Sequence, residues 1–359
     1  MERKSIGIRE LARHLDVSIG TVSRALNGRV DVNPETRKRV QEAAIQLGYV
    51  PNQSGRTLRQ GTTNAVALVM RTNIDRTDFG ETFFMALSEG MQEVLAGHNL
   101  DLVILPCSSA QDQDEYLRRA VERHLADGFI ISDTQRVDRR IDYLIKRRIP
   151  FVALGRSLSG GSHSWIDLDF EGMAEQSVTR LAHLGHRRIA LGIAAREVNN
   201  RYIVEEAYRN ALLACGLPFD QSLVVRVPNT EAGGYELGRT LLMMQERPTA
   251  VVLAQETLAL GLYRSLGEAA LVPGCDLAVM GFRQDPSCRF LSPPLTCFSL
   301  SLKELGTRLG EVLVRTMDRA SAKAEREPVR QLWPMTLVEG ESDKPASSSS
   351  PRRRRRALS

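Results

Sequence analysis

The sequence predicts an all-α helix-turn-helix headpiece over residues 1–50, followed by an α/β core of two doubly wound parallel-sheet lobes over 62–340. Three observations carry this. The first fifty residues hold three short stretches with apolar residues at helical spacing. From residue 64 onward, short apolar runs alternate with amphipathic stretches. Charge is segregated: residues 1–61 carry a net +5, residues 342–359 another +5, and the segment between them −5. A basic block on an acidic body suits a polyanion-binding module, because clustered Lys and Arg gain from phosphate neutralisation and counterion release. A solvated charged surface would look the same by count alone.

Composition narrows the class. With 359 residues, 42% hydrophobic and 25% charged, the chain has room for two or three globular domains. The five cysteines, Cys107, Cys215, Cys275, Cys288 and Cys297, are scattered without a Cys-x-x-Cys spacing and read as reduced thiols. No apolar run nears the roughly 18 residues that span a bilayer, and the first residues have no hydrophobic signal core. The expected compartment is the cytoplasm, with no membrane partner.

Ile8, Leu11, Ala12 and Leu15 fall at i, i+3, i+4 and i+7, one apolar face of a first helix. Asp16-Val17-Ser18 supplies a turn, and the Ser18 hydroxyl can cap a second helix running from Ile19 to Leu26. Asn33-Pro34-Glu35 starts a third, with a capping side chain, a proline at the first helical position and an acid at the positive dipole end. Val40, Ala43, Ala44 and Leu47 give it a buried stripe. Two helices joined by a tight turn and braced by a third can insert the second into a DNA major groove. A helix docked on another protein would share the pattern. Outward on the second helix stand Ile19, Gly20, Thr21, Ser23 and Arg24; the small and hydroxyl groups permit close approach, and an arginine can fork onto guanine O6 and N7.

These residues carry a resemblance. Val17-Ser18-x-x-Thr21-Val22-Ser23-Arg24-x-Leu26-Asn27, then Val32-x-x-x-Thr36-Arg37-x-x-Val40, then Leu47-Gly48-Tyr49-x-Pro51-Asn52 resembles the headpiece of the lactose repressor (LacI/GalR) family. The resemblance implies double-stranded operator DNA as partner. Ile19 and Gly20 become the specificity pair, Arg24 the strongest base reader, and Ser18, Thr21, Ser23 and Asn27 the register-setting phosphate contacts. It also makes residues 51–61 a hinge that turns helical on DNA, with Asn52 and Arg56 at the backbone and Leu58 wedged into the minor groove. Gly55, where a better helix former is usual, raises the cost of folding that hinge by roughly 1 kcal/mol. A plain tether is the alternative.

In the body, 65–70, 102–105, 128–131 and 151–154 read as buried parallel strands, as do 189–192, 223–225, 250–253 and 277–280. Helices are expected near 82–96, 112–125, 138–147, 171–184, 202–214, 232–243, 256–269 and 302–319. Open α/β sheets bind ligands outside the carboxyl ends of their strands. Phe83-Phe84, Ala126-Asp127-Gly128-Phe129-Ile130-Ile131, His183-Leu184-Gly185-His186-Arg187-Arg188, Leu258-Ala259-Leu260-Gly261 and Pro293-Pro294-Leu295-Thr296 extend the resemblance to about residue 340. They imply a periplasmic-binding-protein-like core whose two lobes, about 62–164 with 295–325 and 165–294 with 326–340, hold an effector between them. The crossings between lobes fall near 165, 295 and 325.

The resemblance also implies effector-binding roles for Phe83, Arg156, Asp169, Arg201, Gln255 and Arg283. Asp169 could equally cap the next helix. Two positions depart from the family. Gln255-Glu256 replaces the usual Asn-Asp, and Arg283 stands where an aspartate usually meets a sugar diol. Arginine donates but does not accept hydrogen bonds. It admits either an acidic or phosphorylated ligand, or a salt bridge that leaves a neutral sugar to other side chains. The stretch Asp138-x-Arg140-x-x-Tyr143-Leu144, Pro150-Phe151, Gly155-Arg156 and Trp165-Ile166-Asp167-Leu168-Asp169 is similar to a subgroup regulating α-glucoside use.

Residues 341–359, rich in serine and ending in Arg352 to Arg356, cannot bury a core and read as a disordered basic tail, solvated or adding non-specific DNA affinity. No phosphate-binding, dinucleotide, zinc-protease or nucleophile-elbow motif is present, and the histidines make no metal spacing. Enzyme, metal and cofactor readings therefore recede, and the resemblance implies a ligand-responsive DNA-binding repressor acting on carbohydrate genes as a homodimer or tetramer. Its effector is expected to be a saccharide or sugar phosphate. A sugar-binding protein without a transcriptional role, or an α/β enzyme, is the alternative.

Overall fold

A computed structural model describes residues 6–26, 29, 31–49, 62–72, 79–321 and 327–345. The chain divides into two units, which separate after Thr63.

In the first unit, helices α1 (Ile8–Leu15), α2 (Ile19–Leu26) and α3 (Pro34–Gln46) bury Leu11, Ala12, Val22, Ala25, Val32, Val40, Ala43 and Ala44 against one another. The caps determine the boundaries. Asp16 ends α1 in the left-handed conformation at φ 52°, which a short polar side chain tolerates. Ser18 Oγ accepts from the Thr21 amide at 3.0 Å to start α2. Asn33 Oδ1 accepts from the Glu35 amide at 2.9 Å to start α3.

The second unit contains two six-stranded sheets. The first sheet has the order β11-β5-β4-β3-β1-β2 and is wholly parallel, from strands β1 (Ala65–Arg71), β2 (Asp101–Cys107), β3 (Gly128–Ile131), β4 (Phe151–Leu154), β5 (Ser164–Leu168) and β11 (Arg330–Trp333). Alternate residues of β1 serve opposite faces. Val66 and Leu68 pack with α4 (Phe79–Gly97) and α11 (Leu302–Ser321), whereas Ala65, Ala67 and Val69 pack with α5 (Gln113–Glu122) and α6 (Arg139–Arg147). Helices α4 and α11 approach closely: a Cβ on Gly90 would collide with the Lys303 carbonyl, and one on Gly306 with that of Leu87.

The second sheet has the order β12-β10-β9-β8-β6-β7. Its strands are β6 (Ile189–Ala194), β7 (Val224–Val227), β8 (Ala250–Leu253), β9 (Ala278–Arg283), β10 (Thr296–Ser299) and β12 (Thr336–Val338), and only β12 runs antiparallel. Helices α7 (Phe170–His183) and α8 (Asn199–Ala214) contribute to the hydrophobic cluster on one face, α9 (Glu231–Met243) and α10 (Thr257–Glu268) to that on the other.

Two expectations are corrected. The lobes are joined after Leu168, Ser299 and Trp333, close to the expected 165 and 295 but past 325, because β5 and β11 complete the first sheet and β10 the second. All three lie in the outer part of a sheet and mix polar with apolar residues, so they lack the continuous apolar run of the central strands. The tail also begins later than residue 341. Ser342 and Asp343 are 0% and 5% exposed. Ser342 Oγ donates to the Val279 carbonyl at 2.6 Å and accepts from the Thr296 amide at 2.9 Å. Asp343 accepts from the Thr296 hydroxyl and from Arg180 Nε, and the Lys344 carbonyl lies 3.0 Å from His186 Nε2. These polar residues are buried because each finds a partner, which composition does not reveal. Residues 346–359, with Arg352 to Arg356, lie outside the described residues.

A chain ending at Glu341 should therefore unfold at lower temperature than one ending at Lys344, by a stability difference of about 1–3 kcal/mol for the partners left unsatisfied. Differential scanning calorimetry of the two truncations measures it; equal midpoints would show the contacts of Ser342 to Lys344 to contribute nothing.

Candidate nucleic-acid interface and ligand cleft

On the first unit, the caps and core of α2 turn Val22 and Ala25 inward and leave Ser18, Ile19, Gly20 and Arg24 exposed, with Thr21 and Ser23 half-buried. Ser18 is already committed as the cap, and its hydroxyl also shares a 2.9 Å hydrogen bond with that of Thr21. Arg24 is held lightly: Nε donates to the Gly20 carbonyl at 3.3 Å and Nη1 lies 3.5 Å from Asp31, both side chains being more than half exposed. Such a surface pair is worth at most about 1 kcal/mol, so the guanidinium is free to exchange partners. Gly20 keeps the helix surface low beside it. Asn27, Asn52, Arg56 and Leu58 lie outside the described residues.

On the second unit, the carboxyl ends of the two sheets enclose a cleft. Its main cavity, about 220 Å³, is lined from the first lobe by Met70 and Arg71 at the end of β1 and Thr72 after it, Phe83 and Phe84 of α4, Asp133 after β3 and Leu168 at the end of β5. The second lobe contributes Phe170, Arg196, Asn200, Asn229, Ala254, Gln255, Glu256, Phe282 and Arg283. A smaller cavity of about 110 Å³ adjoins it, adding Arg156 and Asp167 and sharing Phe83, Phe84, Asp133, Leu168, Phe170 and Asn200. Phe170 and Phe282 stack with ring centroids 5.6 Å apart, and the Arg283 guanidinium sits 5.3 Å from the Phe83 ring centre.

Charge in the cleft is largely cancelled in pairs. Arg283, 4% exposed, donates to Glu256 at 2.6 Å and lies 3.6 Å from Asp285. Arg196 pairs with Asp133 at 3.0 Å across the lobes. Arg156 bridges Asp167 at 2.9 Å and Glu171 at 2.7 Å. Burial pushes Asp167 up to about 6 against the opposing pull of Arg156. Arg71 Nη2 donates to the Ser109 carbonyl at 3.0 Å. Neutral polar groups fill the remainder: Gln255 Oε1 accepts from the Ala194 amide at 2.9 Å, Asn229 Oδ1 accepts from the Thr257 hydroxyl at 2.6 Å, and Asn200 Oδ1 is buried without a partner among the described residues.

Of the six effector positions expected from sequence, Phe83, Gln255 and Arg283 line the main cavity and Arg156 the smaller one. Asp169 instead caps α7, accepting from the Gly172 amide at 2.9 Å. Arg201 turns away to pair with Glu197 at 2.7 Å and lines neither cavity. Sequence reasoning missed Arg71, Asp133, Arg196, Asn200 and Asn229. Their shared signal is position, each a polar residue at or shortly after the carboxyl end of an apolar run.

Comparison with known proteins agrees with both units. Residues 7–52 match the bacterial regulatory proteins of the lacI family, and residues 178–342 the periplasmic binding protein-like domain. The chain is 33% identical to the HTH-type transcriptional regulator AglR of Rhizobium meliloti, over 96% of each chain. It is 30% identical to the HTH-type transcriptional regulator CelR of Thermobifida fusca, over 95% of this chain and 100% of that one. Among solved structures, a transcriptional regulator CelR–cellobiose complex gives a TM-score of 0.70 at 29% identity, over 94% of this chain and 99% of that one. The lac repressor dimer bound to operator and the anti-inducer ONPF shares the fold, with a TM-score of 0.80 at 20% identity over 95% and 100% of the two chains. From its capped reading helix to its paired parallel sheets, this chain belongs to the lacI family of bacterial regulatory proteins, ligand-responsive DNA-binding transcriptional regulators rather than enzymes.

Proposed function

We propose that the protein is a cytoplasmic repressor of carbohydrate-uptake or catabolic genes that binds a palindromic operator as a homodimer and takes a neutral glycoside in its cleft as effector. The observation that carries the effector class is the Arg283–Glu256 pair at 2.6 Å. Arg283 stands where family members usually offer a carboxylate to a sugar diol, and by itself it would invite an anion. Neutralised by Glu256 and flanked by Asp285, it leaves little charge for a phosphate to claim. Asn200, Asn229, Gln255 and Thr72 instead offer uncharged donors and acceptors, and Phe83, Phe170 and Phe282 offer apolar faces for the C–H faces of sugar rings. Two adjoining cavities support a ligand of more than one ring. The cellobiose of the CelR complex is a ligand of that class.

Two half-sites about one helical turn apart would meet two copies of α2, and Arg24 would read a guanine in each. Effector occupancy that alters the lobes would then change operator affinity by a coupling of about 1–3 kcal/mol, 5- to 150-fold.

Arg24→Ala should cost about 1–3 kcal/mol per half-site and relax preference at one base position, read by fluorescence anisotropy on operator duplexes carrying single base-pair changes; undiminished discrimination would exclude this arginine as the reader. In a thermal-shift series on the full chain, neutral disaccharides at 100 times their Kd should stabilise the fold by about 2.7 kcal/mol, whereas sugar phosphates should not. Glu256→Gln, by unmasking Arg283, should shift that preference toward the phosphates. Stabilisation of the unaltered protein by a phosphate alone would reverse the assignment.

A further inference from the structure

The two lobes meet at a clasp beside the cavities, built from the segment after β3 and the first turn of α8. Helix α8 starts without a cap of its own: its N-cap is Val198, which makes no side-chain hydrogen bond. An uncapped first turn leaves amides in need of acceptors, and here one acceptor comes from the other lobe. The Asn199 amide donates to the Thr134 carbonyl at 2.8 Å, and Asn199 Nδ2 donates to the Arg156 carbonyl at 2.8 Å. Asn199 is 6% exposed and lines neither cavity. On one side of it, Arg196 reaches Asp133 at 3.0 Å; on the other, the Tyr202 ring lies 4.9 Å from the Arg136 guanidinium. Every one of these contacts crosses between lobes. The residue following Asn199 is Asn200, which lines both cavities with a buried Oδ1 that has no partner among the described residues.

The Asp133 end of the clasp is itself braced. Asp133 sits in the left-handed region at φ 52°, where non-glycine residues need support. Arg140, 2% exposed, supplies it by donating Nη2 to the Ser132 and Asp133 carbonyls at 3.0 and 3.1 Å while bound to Asp138 at 2.7 Å. The Asp138-x-Arg140 motif thus acts through the backbone that carries Asp133.

We infer that Asn199 is a positioning residue for the effector site: it docks the start of α8 on the first lobe, holds the lobes together, and aims Asn200 into the cleft. The inference rests on reading the cleft as the effector site. Breaking the clasp removes the acceptor from the first amide of α8 and frees Asn200 to turn away, so the form that presents both lobes to a ligand becomes the minor one.

Hydrogen–deuterium exchange on the full-length, ligand-free protein tests the clasp directly, through peptides spanning 196–204 and 133–137. Amides at the start of α8 should be protected in the unaltered protein. Asn199→Ala should speed their exchange about tenfold or more, as should Asp133→Asn, which keeps the Asn199 contacts' donors and so covers the case where the first variant folds poorly. Peptides from α9 and α10 should not change. The thermal-shift titration with neutral disaccharides should give an apparent Kd about tenfold weaker in Asn199→Ala. Rapid exchange at α8 in the unaltered protein, or identical exchange in all three, overturns the inference. An intact clasp in a protein that no saccharide stabilises overturns the glycoside reading instead.

Discussion

Parallel strands buried on both faces impose the constraint from which the rest follows. Inside the sheets, side chains of β1, β3, β6 and β8 must be apolar, because helices cover both faces and no water reaches them. Polar groups can enter only where a strand ends, and in a parallel sheet all the carboxyl ends lie on the same side. Facing two such edges gathers residues far apart in sequence, Arg71, Asp133, Arg196, Asn229 and Arg283 among them, around one cavity. The cleft is therefore a consequence of how the core is built, and its chemistry can vary without disturbing that core. Replacing the family's aspartate by Arg283 is a variation of this kind.

A buried cation, however, constrains its surroundings. Arg283 at 4% exposure cannot stand unpaired, since removing one partner of a buried pair costs about 3–5 kcal/mol. Glu256 at 2.6 Å and Asp285 at 3.6 Å are thus tied to its presence. Pairing also directs recognition. On the proposed reading, a ligand anion would have to displace Glu256 from a contact formed in low dielectric, while a neutral ligand leaves that pair intact and meets Asn200, Asn229 and the phenylalanine faces.

How much of this was legible in the sequence depended on the kind of signal. Apolar runs and caps are local, so the helices and the central strands of both sheets stand close to where periodicity places them, and Ser18 and Asn33 cap as their positions suggest. Partners contributed by distant segments are not local. Nothing near Asp343 signals that Thr296 and Arg180 await it, and nothing near Arg196 signals Asp133. Edge strands fail for a related reason: β11 exposes alternate residues, so its composition resembles a loop until β5 pairs with it. Arg201 is a related case, a position taken from family resemblance that here pairs with Glu197, four residues away.

The same kind of ion pair serves opposite purposes in the two units, and solvent exposure decides which. Arg24 and Asp31 lie 3.5 Å apart with each side chain more than half exposed, where screening by water and salt reduces the attraction to at most about 1 kcal/mol. Such a pair holds Arg24 lightly, and in the proposed base contact it would yield to a guanine or a phosphate. Arg283 and Glu256, 5% and 15% exposed in their side chains, hold each other in a medium that strengthens the attraction and penalises separation. The first arginine is available because it is wet; the second is committed because it is dry. A basic headpiece that must bind and release a polyanion needs the former, and the uncharged effector proposed for the cleft, lying beside a cation, needs the latter.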